Sequence, residues 1–240
     1  MIRRIDSIPE IFKESVFTSR INALLNTYRK TVGVDLFSQT VDGSVTAVFG
    51  GMDGSFTLIS NENADYEELS SYFSFCGAVV FCEGTVGEKF NTKDLKKADL
   101  YEYQGGMPTG FTYNNGHDSI EKVYHALEKG ADGDIKLPPF EFWYTDFCSR
   151  FNHNSAEYFL EQNVTAVAGF VDRSYALVTG VAVDKACRGK GLGKTALLGL
   201  IHNILIKFPQ CQIIASTVNA GGFYENLNFK HCGTVAVLKF

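Results

Sequence analysis

The sequence lacks any apolar run approaching the ~18 residues that cross a bilayer, so no membrane span is expected. It has no excess of positive charge: 27 acidic against 22 basic side chains give a formal net charge of −5. A general nucleic-acid binder uses a basic face, and no nucleic-acid partner is expected. The opening Met1-Ile2-Arg3-Arg4-Ile5-Asp6 has no apolar stretch behind its charges, so a secretory signal is not expected either. Six cysteines (Cys76, Cys82, Cys148, Cys187, Cys211, Cys232) include no C-x-x-C pair, and five histidines show neither H-x-x-x-H nor H-E-x-x-H. They read as reduced core cysteines of a cytoplasmic protein, with no disulfide framework and no metal.

What is present is a globular composition, 45% hydrophobic and 20% charged, with an internal repeat. Val45-Thr46-Ala47-Val48 recurs 119 residues later as Val164-Thr165-Ala166-Val167, and eight of the sixteen positions from 45 to 60 are identical at that offset. The first copy reads as strands Asp35–Val41, Ser44–Gly50 and Ser55–Ser60, joined by Asp42-Gly43 and Asp53-Gly54, the dipeptides of tight hairpins. A helix with Tyr66, Leu69, Phe73 and Cys76 on one face follows, then strand Ala78–Cys82. The second copy repeats the order: strands Ala156–Gln162, Thr165–Val171 and Tyr175–Val183, a helix Leu192–Phe208 ended by Pro209, and strand Gln212–Val218. An amphipathic helix with Phe140, Trp143, Tyr144, Phe147, Cys148 and Phe151 on its apolar face precedes the second copy.

Between the copies lie strand Ala98–Tyr103, a turn-rich stretch (Gly105 to Gly110, then Asn114-Asn115-Gly116) and a helix Asp118–Glu128 capped by Asp118. The boundary falls near residue 110, giving lobes 1–110 and 111–240 of mixed α/β structure.

Chemistry concentrates after strand Val181-Ala182-Val183. The run Arg188-Gly189-Lys190-Gly191-Leu192-Gly193-Lys194-Thr195 is a glycine-rich turn opening a helix. Alternate glycines leave amides unobstructed and the helix aims its positive end at the same spot, which suits a pyrophosphate. It is not a Walker A loop, because Arg188 stands where the first glycine belongs. It is not the dinucleotide fingerprint either, since Lys194 holds the third glycine's place.

Arg188, Gly191 and Gly193 fit R-x-x-G-x-G after a strand. Together with Asn219-Ala220-Gly221-Gly222-Phe223-Tyr224-Glu225-Asn226-Leu227-Asn228-Phe229, similar to an N…F-Y-E-x-x-G-F segment, this resembles the GNAT N-acetyltransferase superfamily. Asn228 replaces the family's glycine at a helix end, where Asn is the side chain that best tolerates φ > 0. The first copy has Asp65-Tyr66-Glu67-Glu68-Leu69-Ser70 in place of the glycine turn, with carboxylates where phosphates would sit. It resembles a degenerate partner in a tandem GNAT arrangement.

The resemblance implies two lobes of the acyl-CoA N-acyltransferase fold, an α/β mixed sheet. It implies acetyl-CoA as cosubstrate, held by Val181, Ala182, Val183, Arg188, Gly189, Lys190, Gly191, Leu192, Gly193, Lys194, Thr195, Asn219 and Phe223. Direct attack of an amine on the thioester, with Tyr224 protonating the leaving thiolate, is the implied reaction. Asp146, Glu161, Asp172 and ordered water stay open as routes for the amine's proton. Asp146 and Arg150, four residues apart on a helix, are either a solvated ion pair or contacts to the acceptor. A CoA-binding sensor without turnover, transfer to a protein amine, and a homodimer also stay open.

Overall fold

The computed structural model describes residues 1–29, 33–92, 94–113, 116–130 and 137–240. The Asn114-Asn115 pair of the linker lies outside them. In chain order the elements are β1 (Ile2–Arg4), α1 (Val16–Tyr28), β2 (Asp35–Val41), β3 (Ser44–Met52), β4 (Ser55–Ser60), α2 (Tyr66–Cys76), β5 (Val79–Glu83), α3 (Gly84–Gly87) and β6 (Leu95–Tyr103). Then come α4 (Ile120–Gly130), α5 (Phe140–Asn152), β7 (Glu157–Glu161), β8 (Val164–Val171), β9 (Tyr175–Val183), α6 (Leu192–Lys207), β10 (Gln212–Thr217), α7 (Gly221–Glu225) and β11 (Phe229–Lys239).

Both Asp-Gly dipeptides form the two-residue turns their chemistry favours. Asp42 and Gly43 (φ 49° and 78°), like Asp53 and Gly54 (51° and 74°), take positive φ and close Val41 on Ser44 and Met52 on Ser55. In the second copy the β7–β8 turn keeps two residues, with Glu161 opposite Val164, but the next one differs. There β8 meets β9 with Val171 opposite Ala176, across a longer turn in which Asp172 accepts the amides of Ser174 and Tyr175, each at 2.8 Å. The ungapped sequence repeat therefore does not carry over into an identical cross-strand register.

The strands form one sheet in the order β1-β2-β3-β4-β5-β11-β6-β10-β9-β8-β7. Only β4–β5 and β9–β10 are parallel. Each half contributes its last strand to the other: β11 pairs with β5 and β6 with β10, and β6 and β11 pair antiparallel at the centre. Alternation of side chains then builds a core on each face. Ala47 and Phe49 of β3 face Leu69 and Phe73 of α2, and Ala166 and Ala168 of β8 face α6. Between them Val48 faces Ile21 of α1, and Val167 faces Ile120 and Val123 of α4. Thus α2 and α6 cover one face and α1, α4 and α5 the other.

Two local expectations need correction. Asp118 does not cap a helix; it sits inside a 3-10 turn over His117–Ser119, and α4 begins at Ile120. The extended backbone of Gly116 brings the chain in through that tight turn, closed by Ser119 N–H to the Gly116 carbonyl at 3.2 Å. The cysteines all carry free thiols, but only Cys82 and Cys211 are buried; Cys76 at the end of α2 and Cys232 on β11 are exposed. No helix among the described residues is long and apolar enough to cross a membrane.

Candidate active site

The parallel strands β9 and β10 stay paired only as far as Val178 and Ala215. Beyond that point β10 continues on β6, with Ser216 opposite Leu100 and Thr217 opposite Asp99, while β9 continues on β8. Gly169 and Thr179 drop out of the β8–β9 ladder where the strands part. A bulge of this kind bends a strand and increases its twist. Val181, Ala182 and Val183 therefore have a strand partner on one side only. Val181 and Val183 pack toward α6, and Ala182 toward α4.

After β9, Asp184 accepts the Ala186 amide at 3.2 Å and starts a 3-10 turn, Lys185–Cys187. A hydrogen bond from Lys129 of α4 holds the Asp184 carboxyl below the usual carboxylate range. Arg188 reinforces the same junction: its Nη2 donates to the Gly130 carbonyl at 2.8 Å and its Nε to the Val183 carbonyl at 3.3 Å. A Cβ on Gly130 would lie 2.7 Å from the Ala182 Cβ and 3.1 Å from the Val183 nitrogen, so glycine lets α4 end directly against β9. Sequence reasoning missed Lys129 and Gly130; the Lys-Gly pair closing a helix was the available signal.

Gly189 and Gly191 both adopt φ +78°, with open space where a side chain would stand. Gly191 precedes α6 with no side-chain cap, and the first turn holds no acid. The leading amides of a helix have no intrahelical acceptor, so those of Leu192, Gly193 and Lys194 are free to meet an anion. Lys190 and Lys194 are exposed beside them, with Leu192 and Thr195 half-buried. Gly193 faces Phe223: a Cβ there would touch the ring at 3.5 Å, and Val183 equally closely. The second motif thus lies against the first.

Tyr224 follows on α7 and is only 7% exposed. Its ring stacks on Tyr101 of β6 (centroids 6.1 Å apart, 19° between planes) and meets Phe223 and Phe229 edge-on at 5.2 and 5.3 Å. Burial pushes its phenol up to about 12, so it keeps its proton at neutral pH. Tyr101, supplied by the exchanged strand, was not among the sequence candidates. Asn219 is exposed in the turn between β10 and α7. Asn228 takes φ 62°, as its place at a helix end required.

Asp146 and Arg150 do not join this cluster. They lie on α5 and line a cavity of about 1020 Å³ bounded by α1, the β3–β4 hairpin and α5. Arg150 Nε donates to Asp146 Oδ1 at 3.0 Å, its Nη2 approaches Oδ2 at 2.9 Å, and its Nη1 donates to the Gly169 carbonyl at 3.0 Å. Tyr28 of α1 donates to Asp146 Oδ1 at 2.5 Å; burial and that carboxylate raise its phenol to about 12. The pair is neither freely solvated nor at the glycine turn: it bridges the two halves. Of the other carboxylates considered, Asp172 closes the β8–β9 turn, and exposed Glu161 ends β7.

A model of the acetyltransferase (GNAT) family matches residues 120–229. No curated protein matches the chain. Among solved structures, a GNAT-family acetyltransferase from Colwellia psychrerythraea is 12% identical, covering 100% of this chain and 99% of its own, with a TM-score of 0.55. GCN5-related N-acetyltransferases from Sphaerobacter thermophilus (13% identical, 91% and 84% covered, TM-score 0.59) and Kribbella flavida (10%, 93% and 93%, 0.58) are similar too. At these identities the structures speak for the fold, and the family model speaks for the C-terminal half. The chain therefore has the GNAT fold, and its residues 120–229 are a domain of the GNAT acetyltransferase family.

Proposed function

We propose that this chain transfers an acetyl group from acetyl-CoA to the amine of a small molecule. The carrying observation is the uncapped start of α6, with two left-handed glycines, beside the point where β9 leaves β10. The open backbone edge of Val181–Val183 suits the amide-bearing arm of CoA. Amides and cations of residues 188–195 suit its pyrophosphate, with Phe223 as a wall and Asn219 at the rim. Arg188 serves mainly to lock the turn onto α4, since its guanidinium already meets two backbone carbonyls.

The bound thioester would supply an acyl carbon open to attack. The amine nitrogen bonds to that carbon, the carbon–sulfur bond breaks, and the departing sulfur takes a proton. Tyr224 is suited to give it, being protonated at neutral pH and buried beside Phe223, the wall of the nucleotide site. An amide of the β9 edge, such as that of Val183, would face the carbonyl oxygen as negative charge develops. Of the three carboxylates considered for the amine's proton, Asp146 alone lines the interlobe cavity.

The N-terminal half, residues 1–110, acts in this reading as a degenerate GNAT-like lobe that walls the acceptor cavity. Residues 111–240 are the acetyltransferase domain, working in the cytoplasm without a metal. A cavity of about 1020 Å³ between the halves has room for a small acceptor. Calorimetry with acetyl-CoA is the test, followed by thiol release with a panel of amines. Binding with turnover supports the transferase; binding without turnover across the panel makes the chain a CoA-binding protein instead. Absence of any heat with a folded chain removes the reading.

A further inference from the structure

The interlobe cavity contains a charge that the described residues leave unanswered. Arg20 of α1 lines it, and no hydrogen bond or ion pair to a described residue reaches any nitrogen of its guanidinium. Its Nε is sealed from water and has no partner. Two rings flank the group: its Cζ lies 3.7 Å from the centroid of Phe81 (β5) and 4.5 Å from that of Phe170 (β8). Phe170 is shared with Arg150, whose Cζ lies 4.5 Å from the same ring. The two arginines differ in kind. Arg150 is neutralised by Asp146 through two hydrogen-bonding contacts and donates its remaining arm to a carbonyl. Arg20 has only ring faces, which attract a cation but accept no N–H in the manner of a carboxylate.

Burial, and then the neighbouring charge of Arg150, pull the Arg20 pKa down to about 9. The group is still charged at neutral pH, so its isolation is a cost the fold bears throughout. A planar fork of donors in a cavity fits a planar pair of oxygens. The other ionisable groups lining the cavity are Asp53 on the β3–β4 turn and Tyr28 on α1, with Glu141, Asp146 and His153 on or next to α5. Of the acids, Asp146 is paired and the remaining two form no ion pair with Arg20. The rest of the wall is largely apolar, with Leu24, Met52, Phe142 and Trp143.

We propose that this cavity receives an acceptor that carries a carboxylate as well as its amine and an apolar body, and that Arg20 grips the carboxylate. The inference rests on the transferase reading above, and it names that reaction's substrate class. Arg150, which lines the cavity, donates to the carbonyl of Gly169, which leaves the β8–β9 ladder together with Thr179 near where β9 parts from β10.

Trp143 is the chain's single tryptophan and lines the cavity, so its fluorescence reports occupancy directly. The full chain is titrated with 3-phenylpropanoate and, separately, with its uncharged amide. The carboxylate is expected to change Trp143 emission saturably and to bind about tenfold or more tightly than the amide, the usual value of a charge-assisted contact. Arg20→Met and Arg20→Gln should both erase that preference. Removal of an unanswered buried charge should leave the ligand-free Arg20→Met melting temperature unchanged or higher. A purely structural, ring-clamping Arg20 would instead lower it. Thiol release from acetyl-CoA should be faster with L-phenylalanine than with phenethylamine, and the order should reverse in Arg20→Gln. Equal affinity for acid and amide, or a preference that survives both substitutions, overturns the proposal. Acetyl-CoA calorimetry on the same preparation separates the two readings. Heat with acetyl-CoA but no carboxylate preference sinks the Arg20 site alone. A carboxylate preference without acetyl-CoA heat sinks the transferase reading, and with it the acceptor role of this site.

Discussion

The starts of α2 and α6 occupy corresponding places in the two halves, each following the first of two parallel strands, yet they are finished in opposite ways. Asp65 caps α2, accepting the amides of Glu67 and Glu68 at 3.1 and 3.0 Å, and both those residues add carboxylates to the first turn. At α6 a left-handed Gly191 stands at the cap, no side chain accepts the leading amides, and Lys190 and Lys194 flank them. One helix satisfies its own dipole; the other leaves that task to something negative. The same fold thus carries one capped and one open helix start. The difference lies in side chains and backbone together: Asp65 is extended (φ −84°), whereas Gly191 is left-handed and follows a 3-10 turn.

The comparison breaks most visibly at the chemical step. Tyr224→Phe should slow acetyl transfer on the order of a hundredfold or more, the range of general-acid catalysis, with acetyl-CoA affinity nearly unchanged. Steady-state thiol release beside calorimetry separates the two. Similar rates for both proteins would mean that the phenol is only a packed ring on Tyr101.

Copying the α2 ending onto α6 comes next. Gly191→Asp places a carboxylate at the open cap and should weaken acetyl-CoA on the order of thirtyfold or more, since it sets an unpaired negative charge against a phosphate. The positive φ also makes the change mildly destabilising, by about 1–2 kcal/mol. A thermal melt identifies that part. Retained affinity in a folded variant would show that the diphosphate binds elsewhere.

Much of this contrast was readable before any coordinates. The Asp-Gly turns, the glycine run and the acidic counterpart at 65–70 are local signals, and local signals fix local conformation. The exchange of β6 and β11 was not readable. A strand's sequence shows which face is apolar but not which neighbour completes its ladder, and here Ala236 and Leu238 pack into the first half's core. Arg20 was equally silent, because its meaning comes from Phe81 and Phe170, far away in sequence and brought in by both halves. The hairpin register was misleading in a third way: the residues shared by 45–60 and 164–179 pair differently because the second copy has a longer turn, with Val171 opposite Ala176 where Met52 faces Ser55.

The α4 junction sharpens the comparison from the other side. Gly130→Ala would push a methyl into Ala182 and the backbone of Val183, moving α4 away from the turn and weakening the Lys129–Asp184 and Arg188–Gly130 contacts that tie the two together. Overpacking of this kind costs about 1–3 kcal/mol. Denaturant unfolding should show that loss, with a several-fold fall in acetyl-CoA affinity as the turn loosens. Stability lost without any change in affinity would mean that the glycine turn holds its shape unaided.

The smallest effect tests the capped start. Asp65→Ala removes a side-chain cap and nothing else, because the backbone of Asp65 stays bonded to Gln39: its amide donates to Gln39 Oε1 at 2.9 Å and its carbonyl accepts Gln39 Nε2 at 2.8 Å. Gln39 also reaches Glu68 at 2.8 Å, so the first turn of α2 remains held. The expected loss is about 1 kcal/mol of stability, the usual value of an N-cap. Affinity for acetyl-CoA should not move, since the amides so released belong to a helix that still begins with two glutamates. If affinity rose, or a second equivalent of acetyl-CoA bound, the N-terminal half would be a suppressed copy of the nucleotide site. An unchanged stoichiometry of one would show that Glu67 and Glu68 keep phosphate away without the cap.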